Sequence, residues 1–273
     1  MKLLRNGVMT LTGIRKLGFF IPFKHAGCIP EVQQPYAGLA SNFAEAEHEF
    51  IHVLNLIEAC ADDVKKACSG ALKGHWDGGY FGPLDTAATF ALVREYKPKR
   101  IVEVGSGSST YVMATASRGL DPCPVIQCID PVPRSSISDL GVSWEEAVLK
   151  DDNIHLFEAL EPGDIAFFDS SHVLFEGTDV DIIQNRIMPL IKPGVLVHIH
   201  DIFLPDPYPK DWKHRGYTEQ LGLAGWILGG TYRLLFSSNY AATRMREVTT
   251  KALHKSMPEK VVAGGGSLWL RRV

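Results

Sequence analysis

Beyond residue 100 the chain alternates short apolar runs with helical spacing. The runs occupy 101–104, 125–129, 154–157, 165–168 and 195–199, with helices expected over 110–117 and 179–191. Near-continuous apolar strands separated by helices predict a parallel sheet covered on both faces. The end differs: a run at 232–236, a helix over 239–255, Gly264-Gly265-Gly266 and a run at 267–271 predict two last strands meeting as an antiparallel pair. Upstream, Phe43, Phe50, Leu54, Ile57 and Val64 fall near spacings of three, four and seven, which predicts a helix over 42–70. A second helix is expected over 84–96, ended by Lys97-Pro98. Pro22, Pro30 and Pro35 make residues 1–40 irregular in expectation. The pattern therefore divides the chain into an extension, 1–83, with a helix and a glycine- and aromatic-rich loop at 74–83, and an α/β domain, 84–273, built on a doubly wound, mostly parallel sheet.

Composition narrows the class without changing that picture. The 273 residues are 45% hydrophobic and 22% charged, which suits a packed domain rather than a disordered chain. A net charge of -3 gives no long-range pull toward nucleic acid or an anionic membrane. The five cysteines include no Cys-x-x-Cys pair, which argues against a disulfide framework or a zinc ribbon and fits a reducing, cytoplasmic setting. Arg15 and Lys16 interrupt the first apolar run, and 17–23 is too short for a signal core or a membrane span.

In such sheets ligands bind beyond the carboxyl ends of the strands. The first run ends in Glu103-Val104-Gly105-Ser106-Gly107, where the glycines permit a tight turn and close approach of a ligand to the backbone. Thr110 stands where a dinucleotide fingerprint has its third glycine. A carboxylate at Glu103 would repel a pyrophosphate and attract the sulfonium and ammonium of S-adenosylmethionine, so charge favours the methyl donor over a nicotinamide dinucleotide. Asp130, after the second run, suits the two ribose hydroxyls of either ligand. The expected third strand ends where an adenine would lie, and Glu158 there is either a contact for it or a surface carboxylate.

The fourth run ends in Asp169-Ser170-Ser171-His172 and the fifth in His198-Ile199-His200-Asp201. Alternation puts His198 and His200 on one side, and His200 and Asp201 emerge at the same rim as Asp169 and His172. His172, His200 and Asp201 are the candidates for catalysis, with two alternatives. His172 acts as base toward a hydroxyl acceptor, or Asp169 and Asp201, with His200, hold Mg²⁺ or a similar cation that acidifies it. His198, inside an apolar strand, reads as a core residue. Tyr80, in the loop at 74–83, is a candidate to contact the donor or the acceptor, with Tyr208 and Trp212 as an opposite wall and 206–212 as a substrate-side loop. His48-Glu49-Phe50-Ile51-His52 matches a zinc-protease pattern, but no third ligand follows it, and chance occurrence on an amphipathic helix is preferred.

Together, the run from Ile101 to Thr110, Ile129-Asp130, Phe168-Asp169 and the C-terminal strand pair resemble the class I S-adenosylmethionine-dependent methyltransferases over 84–273. Asp169-Ser-Ser-His172, His198-Ile-His-Asp201-Ile-Phe-Leu-Pro205 and Gly266-Ser-Leu-Trp269 resemble a bacterial small-molecule branch of that class, with oxygen the favoured acceptor atom. The resemblance implies a Rossmann-like, seven-stranded sheet whose last strand is antiparallel. It also implies that Glu103, Gly105, Ser106 and Gly107 cradle the methionine part, that Asp130 holds the ribose, and that Asp169 belongs to the donor site. Metal-dependent members carry carboxylates where Asp169 and Asp201 stand, but His200 replaces the acidic or amide partner. The expected partner is a small-molecule acceptor rather than nucleic acid or a membrane, and a homo-oligomer is compatible with the sequence.

Overall fold

The computed structural model describes residues 2–77 and 79–273; Met1 and Gly78, the latter inside the expected loop at 74–83, lie outside the described residues. Among the described residues seven strands form one sheet. They are β1 (Arg100–Val104), β2 (Val125–Ile129), β3 (Ser143–Glu145), β4 (Ile165–Phe168), β5 (Leu196–Ile199), β6 (Tyr232–Ser237) and β7 (Leu268–Arg272). Their order is β3-β2-β1-β4-β5-β7-β6. β1 to β5 pair in parallel, and β7 runs antiparallel to both β5 and β6. This is the doubly wound, mostly parallel Rossmann-like sheet that the apolar runs predict, with the antiparallel pair at its end. Val104 lies opposite both Ile129 and Phe168, and Phe168 lies opposite Ile199. The four central strands therefore stop at one level, and the residues after them share a rim.

The helices explain why those strands are apolar throughout. In chain order they begin with α1 (Lys2–Leu11), α2 (Ala37–Glu45), α3 (Glu47–Ala59), α4 (Ala61–Ser69), α5 (Pro83–Tyr96) and α6 (Ser108–Ser117). There follow α7 (Ile154–Glu158), α8 (Asp179–Ile182), α9 (Glu219–Leu228), α10 (Ser238–Arg244) and α11 (Arg246–Ser256). α5 is buried from Leu84 to Val93, packed against α3 and α6. Pro83 occupies its first turn, and Lys97, at φ 46°, caps it in the left-handed conformation before Pro98.

The chain forms two compact units, Met1–Gln33 and Gln34–Val273. Helices α2 to α4, expected in an extension ending at 83, belong to the larger unit. The single helix expected over 42–70 is three helices, and α1 replaces the irregular chain expected at its position.

The third strand does not lie where the apolar run at 154–157 predicts it. Residues 154–157 form the start of α7, not a strand, because Asn153 accepts a hydrogen bond from the Lys150 N–H and starts a helical turn there. Four apolar residues carry no usable periodicity. The third strand is Ser143–Glu145, wholly exposed at the sheet edge and so without an apolar signature.

Candidate functional site

After β1 the chain turns through Gly105 at φ +79°, and a Cβ there would lie 2.0 Å from the Asp169 carbonyl oxygen. Only glycine lets the turn pass this close to the end of β4. Asp130, at the end of β2, accepts hydrogen bonds from the Ser106 N–H (2.5 Å) and the Val132 N–H (2.8 Å), tying the turn to the neighbouring strand. The Trp144 indole of β3 donates to the Asp130 carbonyl (2.9 Å).

Glu103 departs from expectation. It is fully buried, and its carboxylate accepts hydrogen bonds from Ser109 Oγ (2.6 Å), Thr110 Oγ1 (2.6 Å) and Cys128 Sγ (3.3 Å). Burial pushes its carboxyl up to about 7 against the pull of those donors. It anchors the first turn of α6 from below and lines neither cavity at the rim. Glu103 therefore does not present its charge to a ligand.

Two adjoining cavities open at the carboxyl ends of the strands. The first, about 260 Å³, is lined by Gly105, Asp130, Val148 and Leu149 among others. The second, about 190 Å³, is lined by Tyr80, Phe81, Gly107, Ser108 and Ser109. Ser106, Arg134 and Asp169 line both and form the waist between them. The hydroxyl of Ser106 is buried there without a hydrogen-bond partner among the described residues. Glu158 is the surface carboxylate of its two alternatives: it is exposed on α7 and lines neither cavity, and the strand expected to carry it toward an adenine is a helix. Val148 and Leu149 occupy that wall instead.

Next to the waist is a buried charge cluster. Burial raises the Asp169 carboxyl, but the hydrogen bond from His172 and the charges of His200, His172 and Arg134 outweigh it, holding the group well below the usual carboxylate range. His172, 2% exposed, donates from Nδ1 to Glu219 (2.8 Å) and places Nε2 3.2 Å from Asp169 and 3.5 Å from Asp201. Burial would lower its pKa, but Asp169 and Glu219 raise it well above the ordinary histidine value. Both nitrogens face carboxylates and the ring is held protonated, so His172 is unsuited to accept a proton. These surroundings make it a cation of the cluster and speak against one of the two sequence alternatives, in which it acts as base. Asp201 differs: burial pushes its carboxyl up, against the charges of His200 and His172. His172 (φ 60°) and Asp201 (φ 56°) hold left-handed backbone conformations rare for such residues, a strain that concentrates at working sites.

His200 is buried, donates from Nε2 to the Tyr80 carbonyl (3.2 Å), and lies 3.7 Å from Asp201. It ties the loop at 74–83 to the end of β5 and lines neither cavity. Tyr80 stands exposed on the second cavity. His198 stacks on Phe167 and bonds Ser267 (2.9 Å), as a core histidine should. The metal arrangement does not fit. Asp169 and Asp201 converge on the imidazolium of His172, and His200 spends Nε2 on Tyr80. Among the described residues no group of three His, Cys, Asp or Glu is placed to hold a metal ion. His48 and His52 lie exposed on α3, and His48 Nδ1 bonds the Glu45 carbonyl (2.9 Å).

Sequence reasoning missed three contributors. Glu219 is 47 residues from its partner His172. Asp85, on α5, accepts from the N–H groups of Gly266 (3.2 Å) and Ser267 (3.0 Å). A Cβ on Gly265 would lie 2.4 Å from Asp85, and one on Gly266 3.0 Å from Asp201 Cα, which explains the glycine run before β7. Arg134 is the third, and only its place in a proline-rich loop after Asp130 could have marked it. On the far side of Asp201, Phe203, Tyr208, Trp212 and Tyr217 pack edge to face, with Arg215 over Trp212 (3.8 Å) and 4.0 Å from Asp201.

No family model and no curated protein matches the chain. Among solved structures, it is similar to the O-methyltransferase TomG of Streptomyces achromogenes in complex with SAM, at 18% identity and a TM-score of 0.42, covering 77% of this chain and 90% of that one. The SAH-bound methyltransferase PaMTH1 of Podospora anserina aligns at 16% identity and a TM-score of 0.46, over 94% and 100% of the two chains. An O-methyltransferase of Bacillus cereus in complex with SAH aligns at 12% identity and a TM-score of 0.43, over 78% and 90%. At these identities and TM-scores the similarities assign no activity to this chain.

Proposed function

We infer that the chain is an S-adenosylmethionine-dependent methyltransferase acting on a small molecule, with oxygen as the acceptor atom. The observation that carries this reading is Asp169, a carboxylate held ionised at the waist of a two-lobed cleft and pressed against the glycine turn. Glu103 was expected to supply that charge; Asp169 supplies it instead. A pyrophosphate on the turn would face this carboxylate in a site partly removed from water, whereas a sulfonium or an ammonium gains from it. The sheet adds support, because a dinucleotide-binding sheet of order 3-2-1-4-5-6 has no strand returning antiparallel between the fifth and sixth, and here β7 does.

The cleft residues suit the donor. Asp130 keeps lone pairs for ribose hydroxyls beyond the two N–H groups it already accepts. Val148 and Leu149 offer apolar surface to an adenine, and the partnerless Ser106 hydroxyl lies at the waist. The donor supplies an activated methyl group whose leaving atom departs as a neutral thioether. The protein's share is alignment and removal of the acceptor's proton. Asp201 is the proton acceptor in this reading, being the cluster carboxylate whose basicity is raised and whose side chain reaches solvent. His172, oriented by Glu219, sets its positive charge beside both Asp169 and Asp201. The aromatic group around Trp212 and Tyr217 walls the acceptor side. No step is assigned to a metal. Among the described residues no helix is long and apolar enough to cross a membrane.

Titration calorimetry with S-adenosylhomocysteine tests the reading. Micromolar binding is expected, weakened at least tenfold by Asp130→Ala, with no heat from NADH. NADH binding in place of S-adenosylhomocysteine would overturn it.

A further inference from the structure

The first thirty residues carry five Lys or Arg side chains and no Asp or Glu. The net charge of -3 over the whole chain, which predicts no pull toward an anionic membrane, therefore averages a basic beginning with an acidic remainder. This stretch falls within the smaller compact unit, Met1–Gln33. Its helix is built the wrong way round for packing on its own protein. Of the α1 residues only Gly7 is buried, and a Cβ there would lie 3.1 Å from the Phe20 ring. Leu4, Val8 and Leu11, spaced to form one stripe, stand exposed, Leu4 at 73% and Leu11 at 71%. Lys2 and Arg5 flank Leu4 and Val8 around a shallow groove. Past α1, Gly13 turns the chain at φ +75°, and the Leu17 N–H donates to Thr10 Oγ1 (2.9 Å). Arg15 and Lys16 follow this turn, and Ile14, Ile21 and Phe23 add further exposed apolar side chains. Lys16 Nζ lies 4.8 Å from the centre of the Phe19 ring.

We propose that this unit docks on an anionic lipid surface, seating its apolar side chains in the interface with its cations at the level of the phosphates. Exposed leucine, isoleucine and phenylalanine side chains gain by leaving water, and the flanking Lys and Arg gain from lipid phosphates. A second copy of the same face would bring five positive charges against five, and like-charge repulsion disfavours that pairing. Nucleic acid would answer the cations but leave Leu4, Leu11, Ile14 and Ile21 in water. α1 is about 15 Å long, about half the hydrocarbon thickness of a bilayer, so it lies along the surface and does not cross it. Each Lys or Arg near such a surface strengthens binding by about fivefold. Neither the donor nor the acceptor site takes part, so the docking stands apart from the chemistry of the cleft.

Co-sedimentation of the full chain with vesicles tests the proposal. The protein should pellet with phosphatidylcholine vesicles containing about one third phosphatidylglycerol, binding them at least about tenfold more strongly than phosphatidylcholine alone. Raising the salt from about 0.1 M to about 0.5 M should weaken that binding several-fold. Arg15→Glu with Lys16→Glu, and separately Leu4→Asp with Val8→Asp, should each weaken it at least about tenfold. All four side chains are exposed, so the urea unfolding curve of either variant should match that of the unmodified protein. No pelleting with the anionic vesicles, equal binding to the two lipid compositions, or full binding by either variant would overturn the proposal. A dimer in lipid-free buffer that Leu4→Asp with Val8→Asp abolishes, or displacement from the vesicles by single-stranded RNA, would assign the face to a second copy or to nucleic acid and equally overturn it.

Discussion

Glu103 is a carboxyl buried without a cation, and it should leave a measurable imprint on stability. Burial lifts its pKa from 4.5 to about 7. An acid whose folded pKa is raised favours the protonated form in the folded state. Between the two values the unfolded chain has released its proton while the folded chain keeps it, so stability falls as pH rises through this window. At about 1.4 kcal/mol for each tenfold change, the full loss is about 3 kcal/mol, of which about 2.5 kcal/mol falls between pH 5 and pH 8. Glu103→Gln preserves the shape and one acceptor for the Ser109 and Thr110 hydroxyls while removing the titration. Urea unfolding of both proteins at pH 5, 6, 7 and 8 isolates the group, since every other titrating residue is common to both. The unmodified protein should lose about 2.5 kcal/mol more than the variant across that range. Parallel curves for the two would refute the placement of Glu103 as a buried, cation-free acid.

Other perturbations address neighbouring parts of the site. Gly105→Ala forces a side chain into a left-handed turn and onto the Asp169 carbonyl; thermal and urea unfolding should show a loss of about 3 kcal/mol or more, with donor binding abolished. His172→Ala removes the cation among Asp169, Asp201 and Glu219, and should cost about 3 kcal/mol or more at neutral pH. Because the His172 pKa is raised on folding, its contribution is complete below the ordinary histidine value of 6.5 and lost as pH climbs through the folded one. The gap between the two proteins should therefore close on the alkaline side, as read by unfolding curves. Exhaustive dialysis against EDTA should leave S-adenosylhomocysteine affinity and methyl transfer unchanged; a drop restored by Mg²⁺ would place a metal between Asp169 and Asp201 after all.

The elements legible in the sequence were those whose burial is total. β1, β4 and β5 are sheathed on both faces, so their apolar runs are continuous and their carboxyl ends, with Gly105, Asp169 and Asp201, could be located without coordinates. α5 was bounded by Pro83 and Lys97-Pro98, each acting through local backbone geometry. Illegible elements were those held by tertiary contacts. β3 joins the edge through three exposed residues, and the short apolar run at 154–157 fits a helical turn as readily as a strand.

The roles at the site follow the same division. That Glu103, Asp169 and His172 lie at or just beyond strand ends follows from where the apolar runs stop. The direction in which each side chain points depends on partners outside its own strand, some in the next turn and some far along the chain. Ser109 and Thr110 capture Glu103, and Glu219 fixes His172, so the expected ligand contact is a helix anchor and one of the two candidate bases or ligand sets is built around a buried histidine. Proximity in sequence located the chemistry and left its polarity to be settled by packing.

A crystal grown with S-adenosylhomocysteine tests the central claim most directly. The account predicts density for the adenosine between Asp130 and Leu149 and for the amino-acid end in the second cavity, with the sulfur at the Asp169 waist. A diphosphate group resting on Gly105 to Gly107, or ligand density away from this cleft, would contradict it.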